Sequence, residues 1–238
     1  MRFRGFQLFY ENEETTQSMI RAIDDFPTFF APNGEQPLII DCGANIGISV
    51  LEWKYRWPMC RVICFEPDPF AYKLLEQNLE KNDVPGVQSY QAAISDQDGE
   101  SILYGEIGRG SDSRGNSLHP DWGKRKLSQE VKIQCLRLGP YLDQEPVAFL
   151  KLDIEGKEES VLKDISPKLE RVQAAYVEVH ETKAMVEYNS ASRVEKILRD
   201  AEFNLELERR FQKHSLPKAQ SQWQEAVDAQ QTQIMCWR

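Results

Sequence analysis

The chain has 238 residues, 41% hydrophobic and 28% charged, which fits a folded domain with a sizeable core and excludes a wholly disordered chain. Its formal net charge of −9 argues against a nucleic-acid backbone as the main partner, because phosphate binding calls for a basic face. The sequence offers neither a secretory apolar core near its start nor an apolar run of the ~20 residues a membrane helix needs, so a soluble protein without membrane insertion is expected.

Residues 11–26 read as a short amphipathic helix, with Met19, Ile20, Ile23 and Phe26 near helical spacing. A connector rich in proline and glycine follows to residue 37, so residues 1–36 form a helical appendage and 37–238 the main domain. Leu38-Ile39-Ile40 is a first strand ending in Asp41, and a helix follows Gly43 and Gly47. Arg61–Phe65 is a second strand, ending in Glu66, and residues 70–82 a second helix. Residues 87–94 read as a third strand, 147–153 as a fourth, 174–180 as a fifth, with helices at about 157–166 and 191–202. Residues 203–208 and 232–238 are two closing strands able to pair antiparallel.

This alternation predicts a doubly wound, mostly parallel seven-stranded α/β sheet with an antiparallel closing strand. Two excursions interrupt it. Residues 101–146 hold two strand-like pieces around a run rich in Gly, Ser and Arg, making a β-rich insertion; residues 211–231 are rich in Gln. Gly105–Lys126 is a candidate lid, and Arg109, Arg114, Lys124, Arg125 and Lys126 are either a contact for an anionic acceptor or a solvated run. The five cysteines, Cys42, Cys60, Cys64, Cys135 and Cys236, show no C-x-x-C spacing, which disfavours a zinc knuckle or redox dithiol and points to a reducing cytoplasm.

Ligands of open parallel sheets bind at the carboxyl ends of strands near the switch point. There the chain reads D-x-G-x-N-x-G from Asp41 to Gly47, not G-x-G-x-x-G. An acid in this place repels pyrophosphate and suits a cationic ligand. Glu66, on the next strand end, can accept both hydroxyls of a ribose.

Strand alternation supplies further candidates. Lys151 and Asp153 share one face of the fourth strand, and Tyr176, Glu178 and His180 one face of the fifth. Asp153 and His180 are expected at the open carboxyl edge, facing an acceptor, with His180 a possible general base. Lys151 and Glu178 are expected deeper, as a buried ion pair. Asp153, Glu155, Glu178 and His180 also form a donor set for Mg²⁺, but Lys151 beside them already supplies positive charge, so no metal is expected.

DCGANIGIS, CFEPDPFAYKLLEQNL, FLKLDIEGKEESVLKDI and YVEVH resemble the FkbM family of methyltransferases over about residues 37–208. The resemblance implies a class I, Rossmann-like methyltransferase that uses S-adenosyl-L-methionine, typically on hydroxyls of sugars or natural products. It puts Asp41, Gly43, Asn45 and Gly47 around the methionine half of that cofactor, Glu66 at its ribose, and Ile94, Ser95 and Asp96 near its adenine. A small-molecule or glycan acceptor is expected, and no oligomeric state is read from the sequence. The alternatives are a nicotinamide-dependent oxidoreductase, which would share Glu66, and a non-catalytic adenosyl-binding protein.

Overall fold

The computed structural model describes residues 1–108, 113–123, 128–211 and 230–238. Arg109, Lys124, Arg125, Lys126 and most of the Gln-rich segment lie outside the described residues, so only Arg114 of the basic cluster is described.

The chain opens with a small hairpin, β1 (Arg2–Phe3) and β2 (Phe6–Gln7), followed by α1 (Glu13–Asp24). Asn12 starts this helix by accepting the Thr15 N–H at 3.0 Å, and Glu13 and Glu14 complement its N-terminal dipole. Next come β3 (Leu38–Cys42), α2 (Ile48–Arg56), β4 (Arg61–Phe65) and α3 (Pro69–Lys81). Asp68 caps α3 through the Phe70 and Ala71 N–H groups, and Pro69 takes the first helical position, where its missing N–H costs nothing.

Then follow β5 (Val87–Tyr90), β6 (Ala93–Ser95), β7 (Gly99–Gly105), α4 (Pro120–Gly123), β8 (Gln129–Arg137) and α5 (Gly139–Leu142). The chain closes through β9 (Val147–Leu152), α6 (Glu158–Ile165), β10 (Val172–Glu181), α7 (Ala191–Asp200), β11 (Asn204–Phe211) and β12 (Gln230–Trp237).

The main sheet has seven strands in the order β11-β12-β10-β9-β3-β4-β5. β12 runs antiparallel to both neighbours, whereas β10, β9, β3, β4 and β5 pair in parallel. The expected seven-stranded sheet with a reversed closing strand is present. β12 lies between β10 and β11, and its unbroken buried run from Thr232 to Cys236 is that of a strand covered on both faces. The expected third strand, 87–94, is two strands. Ala92 donates its N–H to the Tyr90 carbonyl, and this turn sends β6 into a separate sheet with β8 and β7.

One face of the main sheet packs on α6 and α7 through Val161, Leu162, Ile165, Val194 and Leu198. The other packs on α2 and α3 through Val50, Leu51, Trp53, Ala71 and Leu75, joined by Phe3, Leu8 and Ile23 from the N-terminal segment. Arg4 ties the hairpin to both neighbouring helices, donating to Glu52 and Asp24 at 2.7 Å each. No helix among the described residues is long and apolar enough to cross a membrane.

Candidate active site

Strand order reverses between β3 and β9, and a cavity of about 710 Å³ opens at the carboxyl ends there. Gly43, at the end of β3, has φ +86°, and a Cβ on it would overlap the Asp153 carbonyl oxygen beyond β9. Glycine lets the two strand ends touch. Gly43, Asn45 and Glu66 line one half of the cavity, with Phe65, Ala92, Ala93, Ile94 and Leu103 as an apolar wall.

Glu66 accepts the Asn45 N–H and the Asp68 N–H, both at 2.8 Å, which fixes its carboxylate at the mouth of the apolar wall. Burial, and then the neighbouring charge of Asp68, push Glu66 up to about 8. Each carboxylate oxygen accepts one bond and keeps a lone pair for a ligand hydroxyl.

Four residues expected at the cofactor stand elsewhere. Asp41 is fully buried beneath the cavity, where Oδ2 accepts the Trp53 indole N–H at 2.9 Å and Oδ1 lies 3.6 Å from Lys151 Nζ. Gly47, with φ +90°, starts α2 against Leu75 and does not line the cavity. Ser95 and Asp96 point away from it: Ser95 Oγ donates to Asp96, and Asp96 pairs with Lys157 at 3.4 Å and Ser160 at 3.3 Å. Strand alternation turns Ile94 to the cavity and its successor away.

The other half of the cavity is lined by Lys151, Asp153, Ile154, Glu155, Tyr176 and Glu178. Lys151 Nζ donates to the Gly43 carbonyl at 3.0 Å and lies 3.2 Å from Asp153 Oδ2. The expected Lys151–Glu178 pair is therefore replaced. Burial alone would lower the lysine, but Asp153 and Asp41 hold it above its usual range and charged. Glu178 accepts a hydrogen bond from the Tyr176 hydroxyl at 2.7 Å on Oε2, and burial raises its carboxyl.

His180 was expected at the open edge; it is fully buried and does not line the cavity. Its Nδ1 lies 3.3 Å from Glu158 Oε1, and its Nε2 lies 3.3 Å from Glu155 Oε2 and 3.8 Å from Glu178 Oε1. Burial opposes the imidazolium, but Glu155, Glu158 and Glu178 raise it well above the ordinary histidine range. β10 continues past the end of β9, so His180 is covered from above. Trp122 packs on it, ring centroids 4.9 Å apart.

Residues singled out by no motif complete the walls. Met19, Ala22, Phe26 and Pro27, from α1 and the turn after it, also line the cavity. Phe26 packs on Tyr176, centroids 4.7 Å apart. The insertion crosses the strand ends: Asn45 donates to Ser113 Oγ at 2.9 Å, Asn116 to Asp68 at 2.8 Å, and Trp122 to Glu155 Oε2 at 2.5 Å. Gln231 and Gln233 of β12 also line the cavity. Their alternation beside Glu178 and His180 is a signal the sequence carries; the insertion contacts have none, because they depend on tertiary reach across long loops.

Residues 41–205 match the methyltransferase FkbM domain. A Methyltransferase 1 of Beauveria bassiana is 30% identical over 151 residues, covering 57% of this chain and 61% of the relative. Methyltransferase sdnD of Sordaria araneosa is 28% identical, covering 73% and 76%. The 2-O-methyltransferase NoeI of Sinorhizobium fredii is 25% identical, covering 60% and 63%. The chain thus matches less than two thirds of the first and third of these relatives. The sheet order, with its single reversed strand, is the class I methyltransferase arrangement.

Proposed function

Because the chain belongs to the FkbM methyltransferase family, we propose that it transfers a methyl group from S-adenosylmethionine to a hydroxyl of a sugar or natural-product acceptor. The observation that carries this reading is Glu66, held open-faced beside an apolar wall in the same cavity as Asp153 and Glu178. The residues present fit the donor. Phe65, Ala92, Ile94 and Leu103 suit an adenine, Glu66 suits a ribose diol, and the acid-rich half suits positive charge.

When bound, the donor supplies a methyl group on a positively charged sulfur. The chain's own task is mainly positioning. Phe26, packed on Tyr176, shields the acceptor half from water, and Asp153, anchored on Lys151, orients the hydroxyl. Glu178 Oε1 takes the hydroxyl proton, because Oε2 is already held by Tyr176. The bound donor would supply the methyl group to the acceptor oxygen and keep the carbon–sulfur electron pair on sulfur, while Glu178 would pass the hydroxyl proton on to solvent. A methyl ether and S-adenosylhomocysteine result.

Asp153, Glu155 and Glu178 around Lys151 favour a neutral small-molecule or glycan acceptor over a polyanion. The five cysteines are free and buried, which supports a reducing compartment such as the cytoplasm. The name of the Sinorhizobium relative, a 2-O-methyltransferase, supports oxygen as the methylated atom. The nicotinamide alternative is set aside by the family. The test is release of S-adenosylhomocysteine on adding hydroxylated acceptors to protein and donor. Turnover with amine acceptors only would refute O-methylation; a folded chain that binds no adenosyl compound would refute the whole reading.

A further inference from the structure

The geometry points to a divalent-cation site formed by Asp153 and Glu155, which line the cavity, and by His180 buried behind them. One ligand atom from each of these residues lies within 4.8 Å of the others. Two ligands each ~2.1 Å from one ion stand about 3–4 Å apart, so shifts under about 1 Å close the set.

The cluster is more than a group of acids, because its imidazole carries the supporting shell of a ligating histidine. Nδ1 faces the Glu158 carboxylate at 3.3 Å. That carboxylate is itself fixed by the Gly156 N–H at 3.0 Å and the Asn189 amide at 2.7 Å. An ion that displaces the Nε2 proton would meet a nitrogen 3.3 Å from Glu155 while Nδ1–H still donates to Glu158, and a carboxylate behind the imidazole is the usual orienting partner of a metal-bound histidine. Trp122 orients Glu155 in the same way, donating to Oε2 at 2.5 Å. Gln231 brings its amide within 3.2 Å of His180 Nε2, where a flip would present its oxygen to the ion. Lys151 holds Asp153 by Oδ2, leaving the second oxygen for the ion.

Two carboxylates, an imidazole and open cavity positions suit Mn²⁺ or Mg²⁺ with water completing the shell. The sequence expectation of no metal rested on Lys151 supplying the positive charge, but Lys151 is committed to the Gly43 carbonyl, Asp41 and Asp153. An ion here would hold the acceptor hydroxyl beside Glu178. That role rests on the hydroxyl-methylation reading; binding of the ion does not.

The test is Mn²⁺ titration of the EDTA-stripped full chain, followed by electron paramagnetic resonance, with S-adenosylhomocysteine binding measured separately. One Mn²⁺ per chain is expected, with nitrogen modulation from an imidazole in the pulsed spectrum. Asp153→Asn and Glu155→Gln should each weaken it at least ~10-fold while the fold and S-adenosylhomocysteine affinity persist. No uptake by folded protein at about 1 mM Mn²⁺, uptake without nitrogen modulation, or unchanged affinity in both variants would overturn the site. Cofactor binding without Mn²⁺ uptake defeats the metal site alone; Mn²⁺ uptake without cofactor binding defeats the methyl-donor reading alone.

Discussion

Gly43 meets the backbone carbonyl of Asp153 across the switch point, and no side chain fits between them. This contact closes β3 on β9 and places Lys151 under Gly43, where its ammonium serves the Gly43 carbonyl and Asp153 together. Gly43→Ala combines a left-handed backbone with an overlap on a peptide oxygen. A loss of at least about 2 kcal/mol is expected, or roughly 4–8 °C in melting temperature, with cofactor binding lost too. A melting temperature within 1–2 °C of wild type, roughly the scatter of a neutral surface substitution, would show that the strand ends part easily.

Glu66 gives a binding prediction with a defined pH sign. Ribose hydroxyls donate to the ionised carboxylate, so occupancy lowers the Glu66 pKa from its raised value near 8 and releases a proton. S-adenosylhomocysteine affinity should therefore rise as pH increases towards 8 and level off above it. Glu66→Ala should lower affinity about 10- to 150-fold, the equivalent of ~1.5–3 kcal/mol. Calorimetry in buffers of different ionisation enthalpy reads the released proton directly; affinity flat from pH 6 to 9 would detach Glu66 from the ribose.

The same raised carboxyl makes a stability prediction of opposite sense. A folded-state pKa above the unfolded one means that the native chain holds its proton longer. Its contribution to stability is full below the unfolded value near 4.5 and is lost as pH rises through about 8. Glu66→Gln, which cannot ionise, should gain in melting temperature over wild type between pH 5 and 9. A difference that is constant with pH would mean that Glu66 titrates normally.

Lys151 and Asp153 separate scaffold from chemistry. Lys151→Ala strands Asp41, whose Oδ1 has no hydrogen bond among the described residues and lies 3.6 Å from the Lys151 ammonium. Removing one partner of a buried pair costs about 3–5 kcal/mol, and adding Asp41→Asn should recover part of that loss. Asp153→Asn, at a carboxylate 26% exposed whose amide oxygen can still accept from Lys151, should cost less stability than Lys151→Ala and lower turnover. Thermal melts of the four proteins decide: equal losses in Lys151→Ala and Asp153→Asn, with no rescue by Asp41→Asn, would dissolve the division of roles.

Most of the main sheet was legible because its signals are local. Leu38–Cys42, Arg61–Phe65 and Val147–Leu152 are short apolar runs bounded by Gly, Pro or acidic residues, each followed by a helical period. Glu66 and Gly43 were legible because a strand end fixes where its next residue points. Lys151, Glu178 and His180 were found but misassigned. Alternation gives the face of a strand but not how far it runs past its neighbour, and β10 overshoots β9 by enough to bury His180 under Trp122. The wall formed by α1 and the crossing insertion had no local signal, since Phe26 and Asn116 reach the site only through tertiary packing.

If the cavity between Glu66 and Asp153 is an adenosylmethionine site, isothermal calorimetry will show S-adenosylhomocysteine binding one per chain, a weakening of about 10- to 150-fold in Glu66→Ala, and no heat of binding for NAD. Saturable NAD binding that Glu66→Ala abolishes, with none for the adenosyl ligand, would contradict this assignment.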